Sequence, residues 1–135
     1  MPFLAHRSKL LAAAALLLAT LLALATGAGP QREARALRHV VLFKFKETTS
    51  AADKKKIEDA FRALPGKIGE IRSFEWGSNV SVENLSQGFT DCFVLTFASE
   101  KDRDSYLVHP AHKEFGNIIG GALDKVLVVD FWAEN

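Results

Sequence analysis

Tyr106 and His112 stand six residues apart, on either side of Pro110, in the run Tyr-Leu-Val-His-Pro-Ala-His. A proline opens a new helix readily and pushes the residue before it into extended backbone, so the chain must bend between the two rings. A histidine near neutral pKa beside a phenol could abstract a proton next to a carbonyl while the phenol donates to the developing oxyanion. The same two side chains could instead form a clasp that fixes the helix break over a sheet, or line a pocket that binds a ligand without reacting with it. His109 and His112 sit at i and i+3, a spacing open to a metal, but no third ligand stands at a recognisable distance and no metal or other cofactor is expected. His39 is either a pocket base or a satisfied core residue on an apolar strand. Asp91 interrupts another apolar alternation; near a strand end it is expected to reach solvent or cap a loop, and if buried beside a histidine its charge would need a partner.

Other chemistries are excluded by what the chain lacks. Among its 135 residues Cys92 is the single cysteine, which removes intrachain disulfides and cysteine-held zinc or iron–sulfur clusters. Nothing matches a phosphate loop, a dinucleotide fingerprint or a serine nucleophile elbow. With Arg7 and Lys9 set aside, 15 Lys and Arg face 16 Asp and Glu, a balance that does not advertise nucleic acid.

Those two cations introduce residues 10–25, LLAAAALLLATLLALA, which carry no charge, and small residues follow through Ala28. This is the pattern of a secretory signal peptide over residues 1–28, implying export to a periplasm or the outside. The alternative is an uncleaved anchor, the one way in which this chain would meet a membrane. Residues 29–37, GPQREARAL, read as a polar lead-in, and 38–135 as one domain.

The elements that must position the candidates follow from periodicity. Residues 38–46 alternate as a strand, with His39, Val41, Phe43 and Phe45 on one face. Ser50-x-x-Asp53 opens a helix carrying Ile57, Ala60, Phe61 and Leu64, which Pro65-Gly66 ends. Strands are expected at 70–77 and 89–97, the second with Asp91, Phe93, Leu95 and Phe97 on one face. Ser99-x-x-Asp102 opens a short helix that stops near His109, Pro110 starts another with Ala111, Phe115, Ile118 and Ala122 as its buried stripe, and 125–132 is the last strand.

The order β-α-β-β-α-β predicts an α+β, ferredoxin-like fold: a four-stranded antiparallel sheet with helices on one face. Val40, Leu42, Cys92, Val94, Val126 and Val128 are assigned to the other face. An apolar second face favours a homodimer joined sheet to sheet, at roughly 25 cal/mol per Å² of apolar surface removed from water.

HVVLFKFK at 39–46, EWGSNVS at 75–81, GFTDCFVLTF at 88–97, YLVHPAHKEF at 106–115 and LDKVLVVDFW at 123–132 resemble the stress-responsive A/B-barrel (Dabb) family. HPAH with a phenylalanine three residues on is the most specific piece. The resemblance implies a subunit that dimerises into an α/β barrel. It also implies diverse roles: stress-induced plant proteins, a plant polyketide cyclase, and bacterial members with no assigned activity. The cyclase's acid–base tyrosine and histidine match Tyr106 and His112, and its first-strand pocket histidine matches His39. A further pocket histidine falls at Asp91, while Phe61, Phe93 and Leu123 alter the substrate envelope and are expected to fill much of the cleft. The expected function is an exported, dimeric domain that is stress-related or binds a small apolar molecule. The alternatives are a cyclase or lyase acting on a keto-bearing substrate through Tyr106 and His112, and a purely structural oligomer.

Overall fold

The computed structural model describes residues 35–134, so the leader expected over 1–28 and most of the lead-in lie outside the described residues. Within them the chain runs β1 (Leu37–Phe45), α1 (Ala51–Arg62), a 3₁₀ turn (Leu64–Gly66), β2 (Ser73–Ser78), β3 (Asp91–Phe97), α2 (Glu100–Val108), α3 (Pro110–Ile119) and β4 (Leu123–Trp132). The strands form one antiparallel sheet in the order β2-β3-β1-β4, the ferredoxin-like arrangement.

Local chemistry sets the element ends. The Ser50 and Ser99 hydroxyls accept from the Asp53 and Asp102 amides, each at 3.1 Å, and so start α1 and α2. His109, held extended by Pro110, separates α2 from α3; its Nδ1 accepts from the Ala111 amide at 3.1 Å and caps α3. Gly120, at φ 49°, lets the chain leave α3 and enter β4.

Several boundaries differ from expectation. The lead-in gives up Leu37 to β1, which ends at Phe45. The Ile71 amide bonds back to Ile68 and the Phe89 amide to Ser86, so turns occupy the segments before β2 and β3 and delay both strands. The strand expected from residue 125 starts at Leu123, and α1 stops at Arg62, ahead of the turn that buries Leu64.

The faces of β1 and β3 are as expected, but β4 is not. Val126 pairs with Phe43 and Val128 with Val41, so both lie on the helix side; Leu127 pairs with Leu42 and Val129 with Val40 and take the outer face instead. Direct cross-strand partners share a face, so register and not the β4 sequence makes this assignment. A register shift between Lys44 and Phe45 closes the pairing at Leu123.

The core lies between the sheet and the helices. Phe43, Phe61, Phe93 and Phe115 meet there, with Phe61 4.4 Å from Phe93 and 4.6 Å from Phe115 between ring centroids. Such pairs add about 0.5–1.5 kcal/mol each beyond the area they bury. The outer face carries Val40, Leu42, Cys92, Val94, Leu127, Val129 and Phe131, and Leu127, Val129 and Phe131 remain nearly half exposed.

Candidate functional site

A cavity of about 320 Å³ opens between β1, β4 and the helices α2 and α3. Val41 and Phe43 of β1 and Val126 and Val128 of β4 make its sheet wall; Phe61, Phe115 and Ile119 close it from the helix side. One corner is polar, formed by His39, Tyr106, His112 and Asp130. Its volume and its mostly apolar lining with a few convergent polar groups are those of a small-molecule site.

The bend at Pro110 brings Tyr106 and His112 together. Their rings pack tilted by 52° with centroids 4.4 Å apart, in ring contact and not through a hydrogen bond. His112 is tied instead to the carbonyl of Leu107, 3.1 Å from its Nδ1. A carbonyl can only accept, so Nδ1 carries the hydrogen and Nε2 keeps the lone pair of the neutral ring. Burial holds the His112 pKa below its ordinary value; the Leu107 carbonyl opposes this, and the neighbouring His39 adds to the lowering. Burial pushes the Tyr106 phenol well above its usual range, so it stays protonated and able to donate.

His39 is buried at the cavity wall, 5.6 Å from Tyr106 between ring centroids. Its Nδ1 lies 2.6 Å from Asp130 Oδ1, directly across the β1–β4 pair. Being a carboxylate, Asp130 accepts, which again leaves Nε2 as the basic nitrogen. Burial would raise the Asp130 carboxyl, but hydrogen bonds from His39 and Arg103 outweigh it and hold the group below the usual carboxylate range. Arg103 reaches Asp130 Oδ2 at 2.5 Å from α2.

Thus His39, Tyr106, His112 and Phe61 meet in one cavity, and three other candidates do not. Phe93 lies behind Phe61 and Phe43, fully buried in the core. Leu123 packs partly buried against the core and does not line the cavity. Of Phe61, Phe93 and Leu123 only Phe61 reaches the cleft, which stays open. Asp91, expected to reach solvent or cap a loop, is buried at the start of β3; it accepts from its neighbour Thr90 at 2.6 Å and lies within hydrogen-bonding reach of Glu58, not of a histidine. Burial and the Asp91 carboxylate raise the Glu58 pKa.

Asp130 of the polar corner and Arg103, which holds it from α2, escaped the sequence analysis. Asp130 carried a signal, an ionisable group inside VLVVDFW, whereas Arg103 on a polar helix carried none.

Comparison with known proteins places this geometry in a family. Over 95 residues the chain is 41% identical to the stress-response A/B barrel domain-containing protein HS1 of Arabidopsis thaliana, covering 70% of this chain and 87% of that one. It is 29% identical to olivetolic acid cyclase of Cannabis sativa, over 71% of this chain and 95% of the cyclase. Among solved structures, a dimeric ferredoxin-like protein of unknown function from Bacteroides fragilis superposes with a TM-score of 0.60 at 26% identity, covering 73% of this chain and 96% of that one. Residues 37–133 match the Stress responsive A/B Barrel Domain, and the chain belongs to that family, Dabb.

Proposed function

We propose that this chain works as a homodimer whose α/β cavity takes up a small, largely apolar molecule bearing one polar group. The observation that carries this is the cavity itself: apolar sheet and helix walls with His39, Tyr106 and His112 converging at one corner. The half-exposed outer face, Leu127, Val129 and Phe131 with Val40 and Val94, supports the dimer, since covering it with a second copy removes a contiguous apolar surface from water. The Bacteroides relative is dimeric. A role in stress, as the name of the Arabidopsis relative has it, and export through residues 1–28 complete the proposal. Amino-terminal sequencing of the mature protein tests export; a start near residue 29 supports it, and an intact Met1 refutes it.

Binding is tested by calorimetry with a panel of alkyl and aryl ketones. Affinity for at least one of them, lost in Phe115→Glu, supports the cavity; a wild-type protein indifferent to the whole panel leaves the structural-oligomer alternative.

A second reading is proton abstraction next to a carbonyl, of the kind a cyclase or lyase uses. The commitment of His112 Nδ1 to Leu107 favours it, because Nε2 is left as a base beside a phenol that remains a donor. In this reading Nε2 takes the proton from carbon, the carbonyl oxygen gathers the negative charge, and the Tyr106 hydroxyl donates to it. The relative named olivetolic acid cyclase supports this chemistry, while Leu123 and Phe93 outside the cavity argue for a different substrate envelope. Exchange of the α-hydrogens of a bound ketone in D₂O, followed by NMR, reads this step alone.

A further inference from the structure

The side chains of Arg103, Asp130 and His39 form a line from the surface of α2 to the cavity wall. Arg103 Nη1 donates to Asp130 Oδ2 at 2.5 Å, and His39 Nδ1 donates to Asp130 Oδ1 at 2.6 Å. The two carboxylate oxygens are thus divided between a guanidinium and an imidazole. Arg103 is held as well: its Nε donates to Asp104 at 2.7 Å, so the planar fork spans two carboxylates from a fixed position on the helix. His39 is buried, whereas Asp130 lies at the surface with its side chain 29% exposed. A carboxylate on an edge strand has little else to set its orientation.

We infer that Arg103 is a positioning residue for the cavity: by fixing Asp130 it holds His39 as the Nδ1–H tautomer, with Nε2 as a second basic nitrogen in the corner shared with Tyr106 and His112. Arg103 does not line the cavity. It also neutralises Asp130, so the corner carries no uncompensated negative charge, which suits a neutral carbonyl compound over a cation. The groups facing His39 are Asp130 on β4, Tyr106 on α2 and His112 on α3, with Phe97 of β3 edge-on to the ring. Of these Asp130 alone supplies a full charge at neutral pH, and Arg103 is the group that offsets it.

The inference rests on the cavity being the working site, but its test needs no ligand, so failed ligand binding leaves it standing. In the ¹⁵N-labelled full-length chain, the ring nitrogens of His39 report its tautomer directly. The expected wild-type state is one Nδ1–H tautomer at neutral pH. Asp130→Asn and Arg103→Met should each leave His39 a mixture of its two tautomers, the first because an amide can donate as well as accept, the second because the carboxylate loses the group that orients it. Arg103→Lys keeps the charge and loses the fork, so the tautomers should be mixed in it as well. Amide spectra confirm the fold of each variant. A wild-type Nε2–H tautomer, an Arg103→Met protein with an unchanged His39 tautomer, or an Arg103→Lys protein that keeps the single Nδ1–H tautomer would each overturn the positioning role.

Discussion

His112 is fastened through Nδ1 to the carbonyl of Leu107, 3.1 Å away, across the break at Pro110. That bond makes the histidine a structural tie between α2 and α3 and at the same moment decides which of its nitrogens is basic. The clasp and the base considered as alternatives for this residue are compatible in one side chain, because they use opposite edges of the ring.

The α-hydrogen exchange proposed above should rise with pH through a midpoint below the ordinary histidine value and be flat near neutrality, since burial lowers the His112 pKa. His112→Ala should cost about 10²–10⁴ in rate. Stability carries the same signature. The unfolded chain takes up the proton at the ordinary value and the folded chain only at a lower pH, so stability falls as pH drops between the two. Urea denaturation at pH 7.5 and 5.5 should show that loss, and His112→Ala should reduce it.

Glu58 has the opposite sign. Its folded pKa is raised by burial and by Asp91, so the protonated form suits the fold; its favourable contribution is present at low pH and disappears as pH rises through the raised value. Glu58→Gln should therefore raise the melting temperature at pH 7 and have little effect at pH 4. Solvent screening at this partly exposed site keeps the gain within about 1 kcal/mol.

Phe93 and Phe61 are both fully buried, yet only Phe61 lines the cavity. Each alanine substitution should cost about 3–5 kcal/mol in urea denaturation. Phe61→Ala alone should also admit bulkier ketones, read by calorimetry, because its ring separates the cavity from the core.

Adjacent β4 residues should answer to different assays. Leu127→Glu places a charge on the outer face and should halve the mass seen by light scattering. Val126→Glu, on the cavity side, should leave the dimer intact and abolish ligand binding. If both variants dissociate, or neither does, the face-to-face dimer is wrong.

The chain declares its element order locally. Alternation in HVVLFKF, the serine caps at Ser50 and Ser99 and the break at Pro110 each arise from contacts within a few residues, so the β-α-β-β-α-β order and the meeting of Tyr106 with His112 could be read directly. Tertiary structure decided the rest. LDKVLVVDFW is apolar on both faces, so nothing in it says whether Val126 or Leu127 meets the helices; pairing with Phe43 of β1 does. Asp91 looks like a strand-end carboxylate until α1 lays Glu58 beside it. His39 finds Asp130 ninety-one residues away, and Arg103 reaches the same carboxylate from another element. Local spacing carries no trace of such partners, because the sheet register and the helix docking that bring them together are properties of the whole packed chain.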